Sequence, residues 1–260
     1  MRRGQSGFSL VELAVVMTIV AFLLATTMYT LSAQTESRNF ADTQRRLEEA
    51  RDLLLSFALV NGRLPCPAVA PPQPPFNNAG GTGAESPAGG LCTDYYTGFL
   101  PGRAIGYQPV DNAGYALDVW GNPLRYAVSS VGPGNHFTTT ASLKQNGIAT
   151  VSNDLVVCAS ATGIVTVPPS CGAAAVVTNQ NVVAAVIWSQ GKNFSTLGTG
   201  GADETANNKQ RLPAVANNHA VFVWHDPRPT GGAGGEFDDQ MVWIPVGVLY
   251  GKLIAAGALP

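Results

Sequence analysis

The chain is poor in charge. Only 12% of its 260 residues are Asp, Glu, Lys or Arg, and the net charge is −2, where about 25% charged residues is usual for a soluble domain. No basic block is present, so an electrostatic footprint for nucleic acid is excluded. The motifs of hydrolytic and phosphate chemistry are missing as well. There is no His-Glu-x-x-His pair, and Gly191-Lys192 lacks both the earlier Gly and the following Ser or Thr of a phosphate loop. No Gly-x-Ser-x-Gly elbow occurs. The three histidines, His136, His219 and His225, are scattered. The four cysteines contain no Cys-x-x-Cys pair, so neither a zinc ribbon nor a thioredoxin-like site is indicated. The expectation is a protein that is not an enzyme.

Glycine and proline are also absent from Phe8 through Asn61. An unbroken helix over that stretch would be about 80 Å long. Its first part, Phe8 to Leu31, is apolar on all sides. A run of about 20 apolar residues spans a bilayer. Arg2 and Arg3 precede it, so the N-terminal end stays cytoplasmic and the rest is exported. An ordinary secretory signal has a shorter apolar core with small residues after it, whereas Ala25-Thr26-Thr27 lies inside this run. A plain anchor explains the length and the arginines but leaves Glu12 unexplained. A charge inside a membrane helix costs on the order of a few kcal/mol and marks function or a partner. From Gln34 to Asn61 the pattern turns amphipathic, with Leu47, Ala50, Leu54, Phe57 and Ala58 at helical spacing. Asn61-Gly62 is a helix stop.

Gly7-Phe8-Ser9-Leu10-Val11-Glu12-Leu13 resembles the processing and assembly signature of type IV pilins and type II secretion pseudopilins. The resemblance covers about the first 30 residues. It implies that a prepilin peptidase cuts between Gly7 and Phe8, removes residues 1–7 as a leader and N-methylates Phe8. The retained helix would anchor the subunit in a bacterial inner membrane, single-pass, with its C-terminal body in the periplasm. It would later pack among other pilin or pseudopilin subunits in a pilus or pseudopilus. The resemblance also gives Glu12 a partner, the new Phe8 amine of a neighbouring subunit. Breaking such a buried pair costs roughly 3–5 kcal/mol, although the intact pair adds little net stability. Its value would be the register between helices. Many pilins carry a Pro about 22 residues after the cut; here that position is Tyr29.

After residue 62 the composition shifts to proline and glycine, and loops dominate. Cys66, Cys92, Cys158 and Cys171 allow three pairings. Proximity in sequence favours Cys66–Cys92 and Cys158–Cys171, and the first would tie off a Pro- and Gly-rich loop. Asp118-Val119-Trp120-Gly121-Asn122-Pro123 is a turn leading into the alternating Leu124–Val128. It resembles the Asp-x-Trp-Gly-x-Pro segment of pseudopilins. Apolar, β-branched runs predict strands at 154–159, 163–167, 182–188, 220–224 and 241–245, and the tail 246–256 reads as a short helix. Glu236, Asp238 and Asp239 form an acidic cluster before Met241. Oxygen-rich loops suit calcium, and major pseudopilins bind it in a C-terminal acidic loop, so these three are the candidate metal ligands. A solvated acidic turn is the alternative.

Together these features predict an α+β chain built as a pilin-like α/β roll. A leader (1–7) precedes a long N-terminal helix (8–61, with 8–31 as membrane span and filament core). A β-rich body (62–260) follows, in which the helix packs on an antiparallel sheet with long disulfide-tied loops. The expected function is assembly, as a pilin-like and specialised or minor subunit. A membrane-anchored exported binding protein that never polymerises remains a second reading, and a tethered enzyme a third.

Overall fold

A computed structural model describes residues 9–72, 76, 78–130, 137–146, 154–166, 168–179, 182–196, 200–209 and 220–259. The first helix, α1 (Leu10–Asn61), is the longest element, at 52 residues. Its length follows from the lack of any Gly or Pro within it. It ends where Gly62 takes a left-handed φ of 66°, and the Gly62 amide closes the last turn on the Ala58 carbonyl at 2.8 Å. The chain divides into two units, Met1–Asp42 and Thr43–Pro260.

The second unit is layered. Its central sheet has β1 (Arg125–Val128), β6 (Val183–Ser189) and β8 (Gln240–Pro245) in the order β1-β6-β8, antiparallel throughout. Between β1 and β6 the chain forms α3 (Thr140–Asn146), β2 (Val156–Cys158), the pair β3 (Val165–Thr166) and β4 (Pro169–Ser170), and β5 (Val176–Thr178). Between β6 and β8 lie α4 (Ala202–Asn207) and β7 (Val221–Val223); α2 (Gly102–Ile105) precedes β1 and α5 (Val246–Ala255) follows β8. A second three-stranded sheet runs β5-β2-β7, and its β2–β7 ladder is parallel.

The central strand β6 is buried along its whole length, so both of its faces need cover. One face carries Ala185 and Ile187 into a core with Leu47, Ala50, Leu54 and Ala58 of α1 and with Leu249 and Leu253 of α5. The other face carries Val186 and Trp188 against Val157 and Phe222 of the second sheet and Leu155 just before β2. The expected amphipathic stripe of α1 therefore packs as predicted, except that Phe57 is only half-buried and Leu55 joins the core. Burying each large aliphatic side chain is worth about 2 kcal/mol, and the core has two such layers.

The strands expected from pattern are present at β1, β2, β3, β6, β7 and β8, and the tail forms α5; Val167 lies outside the described residues. Two disulfides join Cys66 to Cys92 and Cys158 to Cys171, the pairing that sequence proximity favours. β7 is an edge strand of its sheet. Asn207 of α4 covers that edge with its amide group: its Nδ2 donates to the Val223 carbonyl and its Oδ1 accepts from the Val223 amide, both at 2.8 Å.

Candidate functional site

Gly7 and Phe8, the expected cleavage and methylation positions, lie outside the described residues. The site becomes visible at Ser9. The Ser9 amide and hydroxyl both donate to Glu12 Oε2, at 2.9 and 3.0 Å, and the Ser9 Oγ accepts from the Glu12 amide at 3.2 Å. This is a reciprocal cap: two of the backbone donors that a helix start leaves free are satisfied by one Ser-x-x-Glu pair. The negative charge also sits where the helix dipole favours it. Glu12 is thus held within its own chain before any other subunit is considered. The Ser-x-x-Glu spacing carries that information in the sequence.

Beyond the cap, the side chains of Leu10, Val11, Leu13, Val16, Ile19, Phe22 and Leu24 are all exposed. They lie on every side of the helix rather than along one stripe. The polar side chains in this stretch turn inward on the backbone: Thr18 Oγ1 donates to the carbonyls of Ala14 and Val15 at 2.9 and 2.8 Å, and Thr26 to Leu23 at 2.9 Å. A hydroxyl satisfied in this way costs little in an apolar medium. Among the described residues, no helix is long and apolar enough to cross a membrane; the expected span 8–31 takes in Phe8, outside the described residues.

The Asp-x-Trp-Gly-x-Pro segment is a buried organising turn. Asp118 Oδ1 accepts from the amides of Trp120 and Asn122 at 2.9 and 2.8 Å, and its Oδ2 accepts from the Ser189 hydroxyl at 2.6 Å. Burial pushes the Asp118 carboxyl up to about 6, against the pull of those donors. From α1, Arg46 donates to the carbonyls of Leu117 and Asp118. One carboxylate thus joins the turn to the end of β6, and one guanidinium joins it to the long helix. The motif is structural in its contacts. Just after it, the buried Arg125 donates to Gly98 and Thr97 carbonyls and to Gln190 Oε1, with its guanidinium 4.5 Å from the Phe99 ring centre.

The acidic cluster is dispersed by its hydrogen bonds. Glu236 pairs with Lys192 Nζ at 3.0 Å. Asp238 Oδ2 accepts from the Lys192 amide at 3.0 Å, and the Asp238 amide donates to Glu204 at 3.1 Å. Asp239 turns away and accepts from Asn207 Nδ2 at 2.7 Å. Burial, then the nearby charge of Glu204, pushes the Asp238 carboxyl up to about 7. Asp239, fully enclosed, is raised well above the ordinary carboxylate range by burial. Among the described residues, no group of three or more His, Cys, Asp or Glu side chains is disposed to hold a metal ion. Glu204 is the member that sequence reading missed; it lies 34 residues from Asp238 and nothing local marks it.

One Ser, His and Asp do meet. Asp203 Oδ1 accepts from Ser160 Oγ at 3.3 Å, and its Oδ2 faces His225 Nε2 at 3.1 Å and bonds Arg228. The order is wrong for nucleophile activation, because the carboxylate stands between the hydroxyl and the ring. The other ring nitrogen, Nδ1, faces the Asp226 carbonyl at 2.7 Å. His136 and His219 lie outside the described residues.

Residues 2–28 match the family model described as the prokaryotic N-terminal methylation motif, the signature of type IV pilins and pseudopilins. The motif supports a type IV pilin-like or pseudopilin exported protein. No curated protein and no solved structure matches the chain.

Proposed function

We propose that the chain is a pilin-like structural subunit that is cut after Gly7 by prepilin peptidase, methylated on Phe8 and assembled through its N-terminal helix. The filament is a type IV pilus or a type II secretion pseudopilus, with this subunit in a minor or specialised place. The observation that carries the reading is the methylation motif over residues 2–28 running directly into a 52-residue helix. The motif's glutamate is poised at the start of that helix. Apolar side chains exposed all round the helix suit first a membrane and then a bundle of like helices. Cutting would create the Phe8 amine, and Glu12 would meet the amine of a neighbouring subunit. No metal is needed for that role, and calcium at Glu236, Asp238 and Asp239 stays a separate proposal, testable by calorimetric titration.

Mass spectrometry of the N-terminus tests the reading. A mature chain beginning at N-methyl-Phe8 is expected from cells with active prepilin peptidase. An intact Met1 in such cells would defeat it and favour a membrane-anchored binding protein.

A further inference from the structure

The second unit carries a groove of about 360 Å³ at β8, one of the two edge strands of the central sheet. One wall is aromatic. Trp224 and Trp243 stand edge-to-face, with ring centres 6.1 Å apart and planes at 78°. Both are half-buried, and Met241 lines the groove and belongs to the buried cluster against which both tryptophans pack. The other wall is polar. Gln44, Glu48 and Arg51 of α1 line it, at a spacing that places them on one helix face. Gln44 Nε2 donates to Glu48 Oε1 at 3.2 Å.

The two walls define a ligand. Indole faces carry negative π density and attract the slightly positive C–H groups of an aliphatic ring. The helix wall offers a carboxylate that accepts, a guanidinium that donates and an amide that does both. Groups that both donate and accept, arranged around an apolar ring, match such a wall. Arg51 pairs with Asp52 beside the groove at 3.6 Å, so with Glu48 this part of the helix carries two carboxylates to one guanidinium and an anion is disfavoured. A lipid tail would leave the polar wall unpaired on burial. A neutral pyranose, with a C–H face and a rim of hydroxyls, fits both walls, and the volume suits a mono- or disaccharide.

We propose that this groove is a binding site for a neutral saccharide, stacked on the Trp224–Trp243 pair and hydrogen-bonded by Gln44, Glu48 and Arg51. The site stands on the groove alone and does not depend on whether the chain polymerises.

The test uses the full chain in a sugar-free zwitterionic detergent. The probes are maltose, cellobiose and N,N′-diacetylchitobiose in titrations followed by tryptophan fluorescence, with a printed glycan array for breadth. A saturable response is expected, weakened by about tenfold or more in Trp243→Ala and in Glu48→Gln. Glu48 lies on the helix surface, so Glu48→Gln remains decisive if Trp243→Ala does not fold. No response to any saccharide overturns the proposal. So does binding that survives Glu48→Gln unchanged, which would place the sugar elsewhere. Binding of decaproline in place of saccharides, lost in the same variants, would make the groove a peptide site instead.

Discussion

Ser9 and Glu12 cap the long helix reciprocally, through three hydrogen bonds of 2.9 to 3.2 Å. Glu12 therefore has two separable properties. Its oxygens complete the helix start within one chain, and its charge is available to an amine from another. In the proposed assembly it is the second property that would act between subunits.

Two substitutions divide them. Ser9→Ala removes the two hydroxyl bonds of the cap, keeps the backbone amide bond to Glu12 and leaves the charge, costing about 1 kcal/mol of local helix stability. Glu12→Gln keeps an oxygen for the cap, since Gln serves in such boxes, but removes the charge. Filament yield measured by electron microscopy should fall modestly in Ser9→Ala and collapse in Glu12→Gln. Equal loss in both would make the cap, not the charge, the property that matters.

The Asp238 carboxyl gives a pH signature. An unfolded aspartate titrates near about 3.9, whereas burial and then the Glu204 charge push this one up to about 7. Glu204 is raised in the same direction, first by burial. Between the two values the folded chain holds a proton that the unfolded chain has released. Stability then falls as pH rises through that window, and the contribution is gone above the folded value. Asp238→Asn should flatten the slope. The variant should be more stable than the parent at pH 8, by roughly 1–3 kcal/mol, and no more stable at pH 4. Thermal melts of both chains across pH 4–8 check this; parallel curves would sink it.

Gly191 is the counterpart of that carboxyl. A Cβ there would lie 2.2 Å from Asp238 Cγ, and its φ is +63°. Gly191→Ala meets both a clash and left-handed strain, the latter alone about 1–2 kcal/mol. The chain should melt well below the parent, and Asp238→Ala in the same chain should restore part of the loss. No rescue would mean that backbone strain alone is responsible.

Much of this architecture was legible in the residues, for a physical reason in each case. The long helix shows because nothing breaks it, and β6 shows because Val183–Trp188 is apolar throughout. The cysteine partners are close in sequence, so proximity found them. The second sheet was not legible as a layer. β2 and β7 were expected as strands, but β5, at three residues, is too short for period-two alternation to register. The parallel pairing of Val157 with Phe222 joins distant segments that no local pattern connects. At the candidate site, Glu12 stood out as a charge in an apolar run, but its bond to Ser9 required reading Ser-x-x-Glu as a cap. The carboxylates of Asp238 and Asp239 were visible as neighbours. They lie just before β8, where Asp238 meets Glu204 and Asp239 meets Asn207, and the identity of those partners depends on the fold.

The two disulfides make the last test. The Cys66–Cys92 loop has a sequence separation of 26 and the Cys158–Cys171 loop one of 13. Loop entropy alone ranks the longer one as the stronger constraint, each being worth roughly 3 kcal/mol. The structure argues for the opposite order. The longer loop has a second tie, because Glu85 bonds Arg63 and also accepts from the Cys66 amide at 2.8 Å. That tie survives loss of the sulfur bridge. The Cys158–Cys171 loop is tied by backbone ladders, β3 with β4 inside it and β2 with β5 across it, so the difference lies in burial: both of its cysteines are buried with Val156 and Val221 in a small cluster beneath the second sheet, whereas Cys92 is only half-buried. Removing them leaves a void in that cluster. In urea melts of the two double alanine variants, the Cys158/Cys171 pair should show the larger drop in midpoint. Adding Glu85→Gln to the Cys66/Cys92 variant should then close much of the gap, and a gap that stays open would show that Glu85 does not hold the loop.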